Sequence, residues 1–391
     1  MSPLSRNTYI ALFLGLLLGL GAWSVRAFVD LGLPADATLH DGKLAKAVEN
    51  HYDAEFPLKR LGTNLWAALD YSLFGEGRPG VVLGRHGWLF SDEEFNPQPR
   101  GEQQIGANLQ LIRGIDQQLS ERGVRLLLVI VPAKARLYPE YLAEAKPTRQ
   151  QRDLYRRLHQ AAQHADIVAP DLLASLLKEK PSGQLFLRTD THWTPHGAEL
   201  VAREVAHALQ RNGPPLGERQ GFATEPSASR SYLGDLAKFL PLDPLFSGLL
   251  PPPDRLQPRI THALAATRQD ASAALFAEVR IPVALVGTSY SDDPAWNFSG
   301  ALRQALGSDV LDFAESGHGP LPPMLKYLQT GAFRDSPPQW VIWEFPERYL
   351  PMSPDLSQFD ATWIARLVAA GSSGQHRAIT AESASPGRNH P

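Results

Sequence analysis

The sequence predicts an α/β fold built on a parallel sheet. Two observations carry that expectation. The runs 126–131 and 281–286 are apolar throughout, with the length and β-branched content of strands buried on both faces. Around the first of them the chain reads helix, strand, helix, strand, the alternation that a parallel sheet with crossover helices requires.

Taken in order, the elements begin with a polar N-terminus carrying Arg6, followed by an apolar run over 9–25. Seventeen residues at about 1.5 Å each span roughly 25 Å, close to the thickness of a hydrocarbon core. This reads as an export segment, either an uncleaved anchor or a signal peptide cut after the 25–27 stretch. Residues 40–73 carry Leu44, Val48, Tyr52, Leu65, Leu69 and Leu73 at helical spacing and predict an amphipathic arm. Three glycines and a proline over 75–80 mark entry to the main domain, where 81–84 and 87–90 predict two short strands.

A helix over 105–123 follows from Leu109, Ile112, Ile115 and Leu119, ended by glycine. After the strand 126–131, stopped by Pro132, come a helix over 152–164 and a short strand over 166–169. Thr194 and Pro195 have the chemistry of an N-cap and first helical position, and Leu200, Val201, Val205 and Leu209 form one face as far as Gly213. Residues 214–258, rich in proline, glycine and serine, predict a long surface insertion. Further strands are expected at 310–313 and 340–345. The division is 1–29 signal-anchor, 30–78 helical arm, 79–370 catalytic domain and 371–391 disordered tail.

Composition excludes several chemistries. The chain of 391 residues has no cysteine, so disulfides, thiolate catalysis and cysteine-ligated metal are absent. A net charge of −3 without a basic run argues against nucleic acid as a partner.

Two constellations can carry chemistry. In an extended segment, residues two apart project to one side with Cα atoms about 6.5 Å apart, so Asp190 and His192 can share a pocket wall. A carboxylate holding one imidazole nitrogen leaves the other free as a base. The alternative is a capping Asp beside an ordinary loop histidine. The second constellation is Ser289, just past the buried strand 281–286, where open α/β sheets place their sites; the alternative is a turn or cap serine. A zinc set of His192, His196 and Glu199 is disfavoured because Pro195 starts a helix between the two imidazoles. No metal or cofactor is expected.

Together, Asp190-Thr191-His192-Trp193, Gly287-Thr288-Ser289-Tyr290-Ser291, Gly84-Arg85-His86-Gly87-Trp88-Leu89-Phe90 and Trp343-Glu344-Phe345-Pro346-Glu347-Arg348-Tyr349-Leu350 resemble the alginate O-acetyltransferase AlgJ/AlgX family. The likeness runs from the anchor to about Leu367. It implies an SGNH-hydrolase-like three-layer α/β/α fold with permuted motif order, the Asp/His block preceding the serine block. It further implies Ser289 as nucleophile, His192 as base and Asp190 as the residue that orients it. Thr288 departs from ordinary SGNH enzymes, which carry aspartate there, and His86 has no assigned role. The chain ends soon after its last expected helix, without room for a carbohydrate-binding module, and so resembles the AlgJ branch more than AlgX.

The expected function is a periplasmic O-acetyltransferase at the inner membrane that acetylates an exopolysaccharide, alginate first and cellulose as the alternative acceptor. A membrane-bound acyltransferase would supply the acetyl group. A periplasmic acetylesterase and a non-catalytic polysaccharide-binding subunit remain as rival readings. The N–H of Ser289 is a candidate oxyanion donor, with Gly317 or Gly319 as the second against the alternative of a plain glycine turn. Trp193 is a candidate for stacking on a sugar face and Arg348 for pairing with a uronate carboxylate, against a core position for Trp193 and an internal ion pair of Arg348 with Glu344 or Glu347.

Overall fold

The computed structural model describes residues 3–25, 42–264 and 281–383. The chain forms two compact units, one of Met1–Pro79 with Ala237–Pro251, the other of Gly80–Leu236 with Pro252–Pro391. The first differs from the sequence division in taking 237–251 out of the catalytic domain. Asn64 of the arm donates Nδ2–H to the Pro241 carbonyl at 2.6 Å, and the Arg78 N–H donates to the Phe239 carbonyl.

In the first unit, α1 (Pro3–Ser24) contains the stretch Ser5–Ser24, none of it buried. It is the one helix among the described residues long and apolar enough to cross a membrane. The arm expected as one helix is two, α2 (Lys43–Glu55) and α3 (Pro57–Leu69). Pro57 has no N–H to continue the ladder and forces Phe56 before it into extended backbone, so one helix stops and the next starts with proline in its first turn.

The second unit opens with the antiparallel pair β1 (Val81–Leu83) and β2 (Leu89–Ser91), then α4 (Gly101–Ser120), β3 (Arg125–Val131), α5 (Lys134–Leu137), α6 (Arg149–His164), α7 (Leu172–Glu179) and α8 (Pro195–Asn212). The insertion contains two antiparallel ribbons. One pairs β4 (Phe222–Pro226) with β7 (Arg259–Ala263), the other β5 (Arg230–Tyr232) with β6 (Asp254–Leu256). The chain continues through β8 (Val283–Val286), α9 (Ser289–Asp292), α10 (Phe298–Leu306), β9 (Val310–Asp312), α11 (Leu321–Gln329), α12 (Gly331–Asp335), β10 (Trp340–Pro346) and α13 (Ala361–Ser383).

The central sheet is parallel throughout, in the order β3-β10-β8-β9, with Trp343 opposite Leu128 on one side and Val286 on the other. Leu127, Val129, Val283, Leu285 and Ile342 face the layer of α7, α8 and α10. Leu128, Ile130, Ala284, Val286 and Trp343 face the layer of α4, α6, α11 and α13. Because both faces are covered, the strands read as near-continuous apolar runs, the exception being Glu344 near the end of β10, whose carboxylate is met by hydrogen-bond donors. The expected strand 166–169 shrinks to one bridge, Val168 to Leu127. Asp166 sits at φ 58° and Pro170 lacks a donor, so the ladder cannot extend either way.

The tail expected as disordered from 371 is helical to Ser383. Helix α13 crosses α4 so closely that a Cβ on Gly114 would meet the Leu367 carbonyl and one on Gly371 the Gln110 carbonyl. Strands β3, β8 and β10 all end at one edge, and the next residues along the chain supply the site.

Candidate active site

Ser289 is the first residue of α9, directly past the end of β8, and its N–H has no acceptor within the helix. The turn that presents it is fixed from β10. Glu344, fully buried, accepts the Thr288 N–H at 2.9 Å, the Thr288 hydroxyl at 3.0 Å and the Ser291 hydroxyl at 2.8 Å. Burial pushes its carboxyl pKa up, and these three donors counter that shift. A side chain at Gly287 would strike Glu344 and Ser291, so only glycine lets the turn close on the carboxylate. Thr288 and Ser291 are buried while Ser289 between them is half-buried, its hydroxyl directed into the site.

His192 Nε2 lies 2.8 Å from Ser289 Oγ, and its Nδ1 lies 2.5 Å from Asp190 Oδ1. The segment is a tight loop in which the Leu187 N–H donates to the His192 carbonyl and the Thr194 N–H to the Leu185 carbonyl. With Nδ1–H committed to the carboxylate, the Nε2 lone pair faces the serine hydroxyl. The imidazole stacks on Trp296, ring centroids 5.2 Å apart at 20°, and packs against Tyr290 at 4.6 Å.

Asp190 has no exposed surface, and four donors saturate it. Oδ1 accepts His192 Nδ1–H and, at 2.8 Å, the His192 backbone N–H. Oδ2 accepts the Tyr232 hydroxyl at 2.8 Å and the Asp235 N–H at 2.9 Å. Burial alone would raise its pKa; the bond and charge of His192, with the two backbone donors, instead hold the carboxyl well below the usual range.

A further shell holds this loop. Asp254 accepts the Arg188 N–H, the Thr189 N–H and the Thr189 hydroxyl at 2.7–2.9 Å, and Asp235 accepts the Thr191 N–H and hydroxyl at 2.8 and 2.7 Å. Lys134, just past β3 and almost without exposed surface, donates to the carbonyls of Leu89, Arg188 and Asp190 at 2.6–2.9 Å. Burial lowers its pKa to about 8, and Glu94 and Asp190 oppose the shift. Three carbonyl acceptors require three donor hydrogens, so the group is an ammonium at neutral pH.

The structure thus brings Ser289, His192 and Asp190 together and corrects two sequence expectations. Trp193 is wholly buried, packs on Phe298 and donates Nε1–H to the Tyr290 carbonyl, so no sugar reaches it. The segment 188–192 is a bent loop rather than the extended stretch expected, and Trp193 after it bridges to Phe186 within the core. Arg348 is buried too, but pairs with Glu93 at 2.9 Å and donates to the Tyr290 hydroxyl, while Glu347 is taken by Arg136. It is not free for a uronate.

Gly317 and Gly319 both have left-handed φ, 81° and 66°, in a turn tied to α9 by the Ser316 N–H donating to Asp292 at 3.1 Å. The His196 Nε2 faces Ser182 Oγ at 3.1 Å and Glu199 pairs with Arg259, so these two do not converge with His192. Asp190, His192 and Asp235 do present ligand atoms within 4.8 Å of one another, each already hydrogen-bonded as described.

Sequence reasoning missed Tyr232, Asp235, Asp254, Lys134, Glu94 and Trp296, and gave Glu344 only as a candidate partner of Arg348. Apart from Glu344, which lies in the 343–350 motif, none carries a local motif; Trp296 follows Ser289 by seven residues, and the others reach the site from distant segments.

A model of the SGNH hydrolase-like domain of the acetyltransferase AlgX matches residues 81–347. The chain is 56% identical over 380 residues to the probable alginate O-acetylase AlgJ of Pseudomonas putida, covering 97% of this chain and 98% of the relative. It is 55% identical over 384 residues to the protein of the same name from Pseudomonas syringae pv. tomato, covering 98% of each. Among solved structures, the O-acetyltransferase domain of Pseudomonas putida AlgJ matches with a TM-score of 0.70 at 54% identity, over 75% of this chain and 100% of that one.

Proposed function

Because this chain belongs to the alginate O-acetyltransferase AlgJ/AlgX family and is an O-acetyltransferase, we propose that it transfers acetyl groups to alginate through an acetyl-Ser289 intermediate. The observation that carries this is the continuous relay from a half-buried Ser289 hydroxyl through His192 to a saturated, ionised Asp190.

In the first half-reaction Ser289 Oγ attacks the carbonyl of an acetyl ester or thioester as its proton passes to His192 Nε2. Asp190 keeps the Nδ1–H tautomer and stabilises the imidazolium. The Ser289 N–H is the first donor to the oxyanion, and the Ser316–Gly319 turn, through Gly317 or Gly319, supplies the second. Collapse expels the donor's alcohol or thiol, which takes the proton from His192. In the second half-reaction His192 deprotonates a sugar hydroxyl, which attacks the acetyl-serine. The acetylated polymer leaves with Ser289 regenerated.

The setting we propose is the periplasmic face of the inner membrane, with α1 as anchor and a membrane-bound acyltransferase as the source of acetyl groups. The basis is the polar start with Arg6 followed by the apolar run over 9–25, carried by the membrane-length helix α1. The test is mass spectrometry after incubation with an activated acetyl ester, followed by oligomannuronate. An adduct of about 42 Da on Ser289 that moves to the sugar is expected for an acetyl-serine transferase. Release only as acetate would make the chain an esterase, and no adduct on the wild type would overturn the mechanism.

A further inference from the structure

The arm carries an apolar surface that the catalytic chemistry does not use. On α3 the face that includes Asn64 and Ala68 is buried, while Leu61, Leu65 and Leu69, spaced four apart on another face, are exposed, with Trp66 beside them at 67%. The stripe continues past the helix end into Leu73 and Phe74, 70% and 68% exposed. Six large apolar side chains in one short segment exceed the scattered hydrophobics normal on a soluble surface and mark an interaction site.

Two further observations in the same unit identify the occupant. Helix α1 lies against α3, so the helix that bears the stripe is packed on the apolar Ser5–Ser24 helix within one unit. Twenty residues at about 1.5 Å each cover the thickness of the hydrocarbon core, and Trp23 stands at the end from which the chain leaves, the level at which indoles settle in bilayers. A helix packed against α1 and carrying its own exposed indole, Trp66, beside leucines has the composition of an in-plane amphipathic helix.

We infer that α3 and the following turn lie in the lipid headgroup and upper acyl region, with Leu61, Leu65, Trp66, Leu69, Leu73 and Phe74 inserted, making the arm a second membrane contact beside α1. The inference rests on α1 being an anchor. Its consequence is a tether held at the bilayer surface, where a membrane-bound acetyl donor would deliver its group, rather than a freely swinging linker.

The chain has no cysteine, so single spin labels can be placed without background. Trp66→Cys and Leu73→Cys, with Leu177→Cys on the catalytic unit as an exposed reference, are prepared in the full chain and reconstituted in phosphatidylethanolamine/phosphatidylglycerol vesicles. Flotation first tests the anchor. If the protein does not float, the anchor reading fails and this inference with it. If it floats, labels at 66 and 73 should gain collisions with oxygen and lose collisions with a water-soluble nickel complex relative to 177. Water exposure equal to that at 177 would overturn the lipid contact while leaving the anchor intact. Protection from both reagents would overturn it too, in favour of a protein occupant.

Discussion

Replacing Asp190 with asparagine tests the relay most sharply, because the four donors around the carboxylate determine what an amide must do there. Oδ1 faces two donors from His192, and Oδ2 faces the Tyr232 hydroxyl and the Asp235 N–H. An amide has one oxygen. If it faces Tyr232 and Asp235, the NH₂ points at His192 Nδ1 and forces that nitrogen to become an acceptor. The proton then moves to Nε2, the atom that must take the Ser289 proton. If the amide turns round, the tautomer survives, but the NH₂ confronts the buried Asp235 N–H.

The second orientation costs about 1–3 kcal/mol for a buried donor left unpaired, whereas Tyr232 can rotate its hydroxyl. The tautomer-reversing orientation leaves the His192 N–H similarly unpaired but also disables the base. Either way the negative charge that stabilises the imidazolium is gone. We expect acetyl transfer to fall about 10⁴-fold, equivalent to about 5.4 kcal/mol, with stability lower by about 1–3 kcal/mol and the fold intact. Turnover of an activated acetyl ester, read beside urea unfolding, measures both. A variant that folds and retains activity within about tenfold of wild type would remove Asp190 from the relay. Loss of wild-type activity to a chelator would replace the relay by a metal at Asp190, His192 and Asp235.

Ser289→Ala should fold as wild type, take up no acetyl group and leave the polymer unacetylated; an unchanged polymer acetyl content would refute the nucleophile. Lys134→Met should lower unfolding free energy by about 3 kcal/mol or more in urea titrations, since three carbonyls lose a charged donor and the buried Glu94 loses one of its two cationic neighbours, Arg348 remaining. Glu344→Gln should keep most stability and activity, because the two hydroxyls can turn to accept from an amide, whereas Glu344→Ala should lose about 2–3 kcal/mol and more activity than stability explains. Equal behaviour of the two would show that the carboxylate does not position the turn. Asp190 has a folded pKa below its ordinary 3.8, so its stabilisation is complete above that pH and disappears as pH falls through the lower folded value. Acid titration of stability below about pH 4 should therefore be flatter in Asp190→Asn than in wild type, and parallel curves would refute the assignment.

The sheet was legible because burial on two faces leaves an unambiguous pattern. The runs 126–131, 281–286 and 340–345 lie within or next to β3, β8 and β10, and the cap at Thr194 gives the start of α8. What failed was decided by single residues or by contacts far along the chain. Pro57 divides the arm, Asp166 and Pro170 reduce a strand to a bridge, and the glycine pair Gly114 and Gly371 seats a helix where composition suggested disorder.

The reactive groups were legible for a different reason from the groups that hold them. Spacing made Asp190, His192 and Ser289 candidates, each with a local alternative, and the resemblance carried by the four motifs together gave them their roles. Their supports come from elsewhere: Glu344 lies 55 residues from Ser289, and Tyr232 and Asp235 enter from an insertion whose sequence has little period. The departure at Thr288 shows how the two levels join. A threonine where ordinary SGNH enzymes carry aspartate looks in sequence like a lost carboxylate. In the fold the carboxylate arrives from β10, because the parallel register sets Trp343 beside Val286 and so carries Glu344, the next residue, alongside Gly287. Gly287 leaves the space and Thr288 supplies the donors. The hydrogen-bonding group that fixes the nucleophile's turn thus comes from the neighbouring strand rather than from the turn itself, which is why truncation at Glu344 should reach Ser289 although Glu344 touches no reacting atom.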